Sequence, residues 1–354
     1  MGKTAVAWEI HARLAARGAA PAYVDVDQVG MCDPAPPGDP DRDRLKARNV
    51  AALGVSFAAA GARGLVVSGV CDPERGPDIG ASPLVVGRLR ADPDELRARL
   101  GRRRGSPARP DAVAAAAAAA EALDRSAYAD WCVDTTGLSI AAVADRVLAE
   151  VGAWPPAAAP DSADPPLPAR GPIGCEVLWL SGATGVGKST VGFRAYRDVL
   201  AAGATAAYVD ADQVGFCSTA PDDHSLRARN VAALWRTFRA AGAERAVVVG
   251  PVPGPAAARR YERALPATQF TWCRLHVGEE ELTRRILTRR HGGSWVQPGD
   301  PLRDRPTEEL RAVARRAAAD AEALERLPVG HRIDVDDLTP EHAAAAVLAM
   351  ASRH

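Results

Sequence analysis

Short apolar runs alternate with longer amphipathic stretches through the C-terminal half of the chain. Residues 176–180, 206–209, 246–249, 270–276 and 331–335 are the short runs, bounded by Gly, Pro or polar residues, and they predict strands. Between them, residues 188–202, 225–241, 256–265, 279–290 and 340–351 predict helices, with Gly203 and Gly242 as stops for the first two. Strands separated by helices of this length imply an α/β fold with a parallel sheet covered on both faces. The pattern leaves the strand order open.

The N-terminal half repeats this arrangement. Tyr23, Asp25, Asp27, Gln28 and Gly30 recur with the same spacing as Tyr208, Asp210, Asp212, Gln213 and Gly215. Arg48-Asn49-Val50 recurs as Arg229-Asn230-Val231, and Ala59-Ala60-Gly61-Ala62 as Ala240-Ala241-Gly242-Ala243. Segments 132–139 and 333–339 match in character, each followed by an Ala/Val-rich helix. The order is preserved, so a tandem duplication is expected, with domains at 1–152 and 174–354. Residues 153–173 are rich in Pro and Ala without periodicity and read as an extended linker.

Composition narrows the class. The chain has 354 residues, 47% hydrophobic and 25% charged, which excludes wholesale disorder. Lys+Arg and Asp+Glu both number 44, so no global positive field would collect nucleic acid. No apolar run approaches the roughly eighteen residues of a membrane span. The start shows no secretory pattern, and the six cysteines form no CxxC pair, so free thiols and a cytoplasmic setting are expected. Lysine occurs only as Lys3, Lys46 and Lys188; where arginine is the default cation, a retained lysine marks a site needing a compact charge.

Lys188 lies in Gly182-Ala183-Thr184-Gly185-Val186-Gly187-Lys188-Ser189, followed by Thr190, directly after an expected strand and opening an expected helix. This is the phosphate-binding loop pattern. Its glycines let backbone N–H groups turn toward phosphate, Lys188 reaches the β/γ oxygens, and Ser189 offers its hydroxyl to Mg²⁺. ATP and Mg²⁺ are the implied ligands. In the first repeat only Gly2-Lys3-Thr4 aligns with this loop, so the first domain is expected to lack its N-terminal strand and most of the loop, and to bind nucleotide poorly. Either a start further upstream supplies the missing strand, or the domain is a degenerate partner. Retention of Lys3, Asp25, Asp27, Arg48 and Asn49 favours the former.

The apolar strands downstream of the loop end Val249-Gly250-Pro251 and Val67-Ser68-Gly69, without a carboxylate. The acids instead follow the second strand, as Asp210 and Asp212 and as Asp25 and Asp27. Alternate strand residues share a side, so both carboxylates are expected to face one cleft. One of Asp210 and Asp212 would order Mg²⁺ through water, and the other would accept the proton of an attacking hydroxyl.

Asp210-Ala211-Asp212-Gln213, then Arg227-Ala228-Arg229-Asn230-Val231, then a helix ending Ala240-Ala241-Gly242 before an apolar strand, resembles adenylylsulfate kinase, and more broadly small P-loop kinases such as shikimate and gluconate kinases. The resemblance implies two P-loop NTPase domains of nucleotide-kinase type, each a three-layer α/β/α sandwich. It implies Asp212 as the acceptor-side acid, Arg229 and Asn230 as acceptor ligands, Phe216 lining the acceptor pocket, and residues 336–339 beside adenine. Gln213 replaces the Asn of the sulfate kinases, and the strand end at Gly250-Pro251 departs from theirs, so adenylylsulfate is not supported as the acceptor. Arginines on helix 279–290 lead into a loop at 292–306; as a lid, Arg289 or Arg290 would stabilise the transferred phosphoryl. Arg97, Arg99 and Arg102–Arg104 are the counterparts in the first repeat.

The expected activity is Mg-dependent transfer of the ATP γ-phosphoryl to a hydroxyl of a small molecule. The alternatives are a polynucleotide 5′-hydroxyl kinase and a regulatory nucleotide-binding ATPase without an acceptor. Duplication within one chain suggests an intramolecular pseudo-dimer, compatible with a monomer.

Overall fold

The computed structural model describes residues 2–72, 74–77, 79, 84–104, 110–152, 154, 175–220, 224–266, 268–289, 302 and 305–352, without the side chains of 102–104, 112 and 175. In chain order the elements are α1 (Lys3–Ala16), β1 (Pro21–Asp25), β2 (Cys32–Asp33), α2 (Asp43–Ala59), β3 (Gly64–Ser68), β4 (Gly87–Arg90), α3 (Pro93–Arg104), α4 (Pro110–Arg125), β5 (Trp131–Asp134) and α5 (Ile140–Val151). There follow β6 (Cys175–Ser181), α6 (Lys188–Ala201), β7 (Ala206–Asp210), α7 (Ser225–Ala240), β8 (Arg245–Val249), α8 (Pro255–Ala264), β9 (Thr268–His276), α9 (Glu279–Thr288), α10 (Thr307–Glu325), β10 (His331–Asp334) and α11 (Pro340–Ala351).

Two compact units result. The first comprises Met1–Asp27, Lys46–Pro160 and Cys217–Thr219; the second comprises Gln28–Leu45, Asp161–Phe216 and Ala220–His354. Each therefore includes a short segment from the other half of the sequence. The expected linker at 153–173 lies, apart from Trp154, outside the described residues.

The second unit is built on a six-stranded sheet of order β10-β9-β6-β8-β7-β2. The first five strands are mutually parallel, and β2 adds antiparallel to β7, with Cys32 opposite Ala207 and Asp33 opposite Ala206. β6 shows why its sequence is almost continuously apolar: both faces are covered. Leu178 and Leu180 join a core with Val191, Ala195 and Val199 of α6 and Ala344 and Val347 of α11. Trp179, pointing the other way, lies 4.2 Å from the Tyr261 ring of α8, centroid to centroid. Helices thus lie on both faces of a parallel-rich sheet. β6 sits where the strand order reverses, and the carboxyl end of such a strand opens the crevice used by ligands in α/β sheets.

Two elements of this unit were not expected from the pattern. α10 buries Leu310, Ala314 and Ala317, a stripe mostly of alanine whose contrast with its surroundings is weak. β2 has two residues, too short to carry a period. The expected helix at 279–290 is shorter, ending at Thr288 with Arg289 as its C-cap.

The first unit holds two separate parallel pairs, β1 with β3 and β4 with β5. Val6, Ile10 and Leu14 of α1 pack with Val133 of β5 and with Val143, Ala144 and Val147 of α5. In the second unit β6 lies between β8 and β9, the sequence counterparts of β3 and β4; among the described residues the first unit has no strand in that place. Cys32, Cys71, Cys132, Cys217 and Cys273 are free thiols. Among the described residues no helix is long and apolar enough to cross a membrane.

Candidate functional site

The loop from Gly182 to Gly187 leaves the carboxyl end of β6 and opens α6. Its glycines are required by conformation and by space. Gly182 has φ 139°, and a Cβ there would lie 2.6 Å from the Leu275 carbonyl oxygen; one on Gly185, at φ 86°, would lie 2.6 Å from Ile286 Cγ1. Gly187, the N-cap of α6 at φ 106°, provides no side-chain cap. The first-turn N–H groups and the positive end of the helix dipole are thus presented without a competing side chain. Ala183 and Val186 are buried, while Thr184 and Thr190 are exposed.

Lys188 folds back over this loop, donating from Nζ to the carbonyls of Gly182 and Ala183 at 3.0 Å each. Burial pushes its pKa down; Asp212 and Asp210 act in the opposite direction, and Arg289 adds to the lowering. The ammonium is desolvated and incompletely compensated, a state that a bound polyanion relieves.

Ser189 donates from Oγ to Asp210 Oδ2 at 3.2 Å, and the Asp212 backbone N–H donates to Asp210 Oδ1 at 3.0 Å. Asp210 ends β7 and is 3% exposed. Asp212 lies beyond the strand, in a turn that the Asp210 carboxylate itself caps. Both carboxylates act on Lys188, as expected, but an Asx turn and not strand alternation places the second. Asp210 is buried with the rest of β7, whereas the Asp212 side chain is 46% exposed, with Arg227 at 4.0 Å.

The acceptor-side residues divide. Asn230 is wholly buried and donates from Nδ2 to the Val214 carbonyl at 2.6 Å, pinning the acidic turn to α7. Arg229 is exposed, and Phe216 is half-buried. Arg227, which motif reading did not assign to the site, is the α7 arginine turned toward Asp212, and its guanidinium passes over Gly215. Two signals were available for it: its spacing of three from Asn230, and Lys46 at the corresponding place in the first repeat. Arg289 caps α9 and acts on Lys188; Arg290 and most of the expected lid loop lie outside the described residues. The structure thus brings Lys188, Ser189, Asp210, Asp212 and Arg289 into one electrostatic neighbourhood.

Part of this geometry recurs in the first unit. Thr4 Oγ1 donates to Asp25 Oδ2 at 2.7 Å, and the Asp27 N–H donates to Asp25 Oδ1 at 3.0 Å. Gly2 is the N-cap of α1, at φ 76°. Ser68 adds a hydrogen bond to Asp25 at 3.1 Å, a contact for which Gly250 offers no side chain in the second unit.

The second unit's residues fit a magnesium–triphosphate group. Glycines hold a loop that a Cβ would fill, a half-buried ammonium faces it, and a hydroxyl–carboxylate pair of oxygen donors stands beside it, the set a hard cation takes.

No family model and no curated protein matches the sequence. Solved structures do. The chain is similar to a gluconokinase from Sinorhizobium meliloti 1021 at 16% identity, covering 51% of this chain and 93% of that one, with a TM-score of 0.33. It is similar to the tunicamycin resistance protein of Deinococcus radiodurans at 17% identity, 50% and 95% coverage and a TM-score of 0.34. For the APS kinase of Mycobacterium tuberculosis, solved with AMPPNP and APS, the values are 18% identity, 51% and 99% coverage and a TM-score of 0.31.

Proposed function

We propose that the second unit is an ATP-dependent kinase that moves the γ-phosphoryl of magnesium ATP to a hydroxyl of a small molecule. The observation that carries this reading is the joining of Lys188 to the glycine loop on one side and of Ser189 to the Asp210–Asp212 turn on the other. Backbone N–H groups at the start of α6 receive the phosphate oxygens, and Lys188 exchanges its two carbonyl partners for them. Ser189 and, through water, Asp210 would hold Mg²⁺, which when bound neutralises charge on the transferred group. Asp212, half-exposed next to Arg227, is the base that takes the proton of the acceptor hydroxyl. Arg289 adds positive charge on the side of Lys188.

The test is transfer of label from γ-labelled ATP to a compound in a small-molecule extract of the source cells. Label on a compound, lost with Lys188→Ala, supports the kinase. Tight ATP binding with label only on ATP or on slowly released phosphate supports a second reading, a nucleotide-binding regulator without an acceptor. Complete burial of Asn230 favours that second reading, because its amide nitrogen is engaged by the Val214 carbonyl in holding the turn. Asp212→Asn separates the two. In a kinase it removes transfer and leaves ATP affinity within about twofold; in a regulator it changes neither binding nor any chemical step.

A further inference from the structure

Arg285, in the middle of α9, holds the glycine loop from behind. Its Nη1 donates to the Val186 carbonyl at 2.8 Å, its Nη2 to the Val335 carbonyl at 2.8 Å, and its Nε to Glu281 Oε1 at 2.6 Å. The planar guanidinium thus spends its fork on two backbone carbonyls from separate loops and on a carboxylate one turn earlier. Glu281 is fixed in turn, accepting from Arg284 at 2.6 Å on each of its two oxygens.

The carbonyl of Val186 belongs to the peptide whose N–H is that of Gly187. A trans peptide points its C=O and N–H in opposite directions. Drawing the Val186 carbonyl toward α9 therefore commits the Gly187 N–H to the side away from α9. Gly187 has φ 106°, and a glycine without such an anchor has many alternative peptide orientations. The first unit carries a related construction. Glu95 and Arg99 pair at 2.6 Å, Arg99 Nη2 donates to the Thr135 carbonyl at 2.8 Å, and Arg99 Nη1 turns to the Thr135 hydroxyl at 2.9 Å. A Glu–Arg–carbonyl clamp is thus present in both units, and in the second one arm of it reaches the phosphate loop.

We propose that Glu281 and Arg285 form a positioning pair for polyphosphate binding: they orient the Val186–Gly187 peptide so that the Gly187 N–H can serve an oxyanion, and they tie the phosphate loop to the loop that follows β10. This rests on the nucleotide reading given above and deepens it, since Arg285 acts through the backbone and need not touch the ligand.

The experiment measures, by titration calorimetry, the dissociation constants of magnesium ATP and of magnesium tripolyphosphate, which has no base, together with the melting temperature of the ligand-free protein. The full chain is compared with Arg285→Ala, Arg285→Lys and Glu281→Gln. Both Arg285 variants are expected to weaken both ligands by about tenfold, the worth of one charge-assisted hydrogen bond. Lysine keeps the charge but cannot span the carbonyls, so it gives no rescue. Glu281→Gln is expected to weaken both ligands by about threefold. A role confined to stability would lower the melting temperature and leave both constants of the folded protein unchanged, which overturns the positioning role while the nucleotide reading stands. Weakened ATP with unchanged tripolyphosphate also overturns it, because the effect would then lie on the base side. If the wild type binds neither ligand, the nucleotide reading fails and the positioning role falls with it. Should Arg285→Ala not fold, Arg285→Lys and Glu281→Gln decide.

Discussion

Gly182 and Gly187 both occupy left-handed backbone, at φ 139° and 106°, yet their surroundings differ. A Cβ on Gly182 meets the Leu275 carbonyl at 2.6 Å, and that backbone cannot step aside; one on Gly187 meets, among the described residues, only Arg285 Nη1, at 3.7 Å. Gly187→Ala is therefore expected to cost about 1 kcal/mol, the conformational term alone, and Gly182→Ala about 3 kcal/mol or more. Urea unfolding of the two variants checks the ranking, and equal losses would show that the contact does not matter. Lys188 leads to a pH prediction. Burial lowers its folded-state pKa, and a bound polyanion raises it again, so ligand affinity should decline as pH rises through the lowered value. In that range ATP binding takes up a proton, which calorimetry in buffers of different ionisation enthalpy reads directly; uptake absent at every pH would mean that Lys188 stays charged without ligand. The motif was legible at these positions because each residue type has a chemical reason that does not depend on distant neighbours. Arg285 was not: its role depends on the Val186 and Val335 carbonyls, 99 and 50 positions away.

Among the elements, α6 shows propensity and packing in opposition. Gly192 lies within the helix, where alanine is better by about 1 kcal/mol on propensity. Yet a Cβ there would lie 2.3 Å from Val249 Cγ1 of β8, so helix and sheet are in contact through this glycine. Gly192→Ala is expected to destabilise by about 2 kcal/mol net, and a stabilised variant would show that the sheet yields. In α9, hydrogen bonds from Arg284 first and Arg285 next hold Glu281 down to about 2, against an ordinary value of 4.5. A depressed carboxylate contributes stability that is present above its unfolded value and lost as pH falls from about 4.5 toward 2. Because solvent screens the pair, about 1 kcal/mol is expected: Glu281→Gln should lose that much at pH 7 and nothing near pH 2, measured by urea unfolding. Most strands and helices could be read from periodicity. α10 could not, since alanine does double duty as a core residue and a helix former and so blurs the stripe.

For the whole molecule, the unit boundaries do not follow the simple division of the sequence into halves. The second unit includes Gln28–Leu45, and within it Tyr196 donates to Asp33 Oδ2 at 2.5 Å, Met31 O accepts from the Tyr208 N–H at 2.9 Å, and Met31 packs on the core. A chain beginning at residue 174 would leave β7 as a bare sheet edge and Tyr196 without its acceptor. Such a fragment is expected to unfold at lower urea concentration than the second unit of the full chain and to self-associate on gel filtration; a monomer of undiminished stability would show that β2 contributes nothing. Tyr196→Phe in the full chain should cost about 1 kcal/mol. The α/β class, the glycine spacing before Lys188 and the paired acids were all present in the linear text, because period, glycine spacing and the type of charge are local properties. The strand order around β6, the turn that separates Asp210 from Asp212, Arg227 rather than Arg229 beside Asp212, the burial of Asn230, and the segment of the first repeat that completes the second sheet are products of folding. Each depends on which surfaces meet across long stretches of chain, and hydrophobic burial selects those meetings without leaving a local mark.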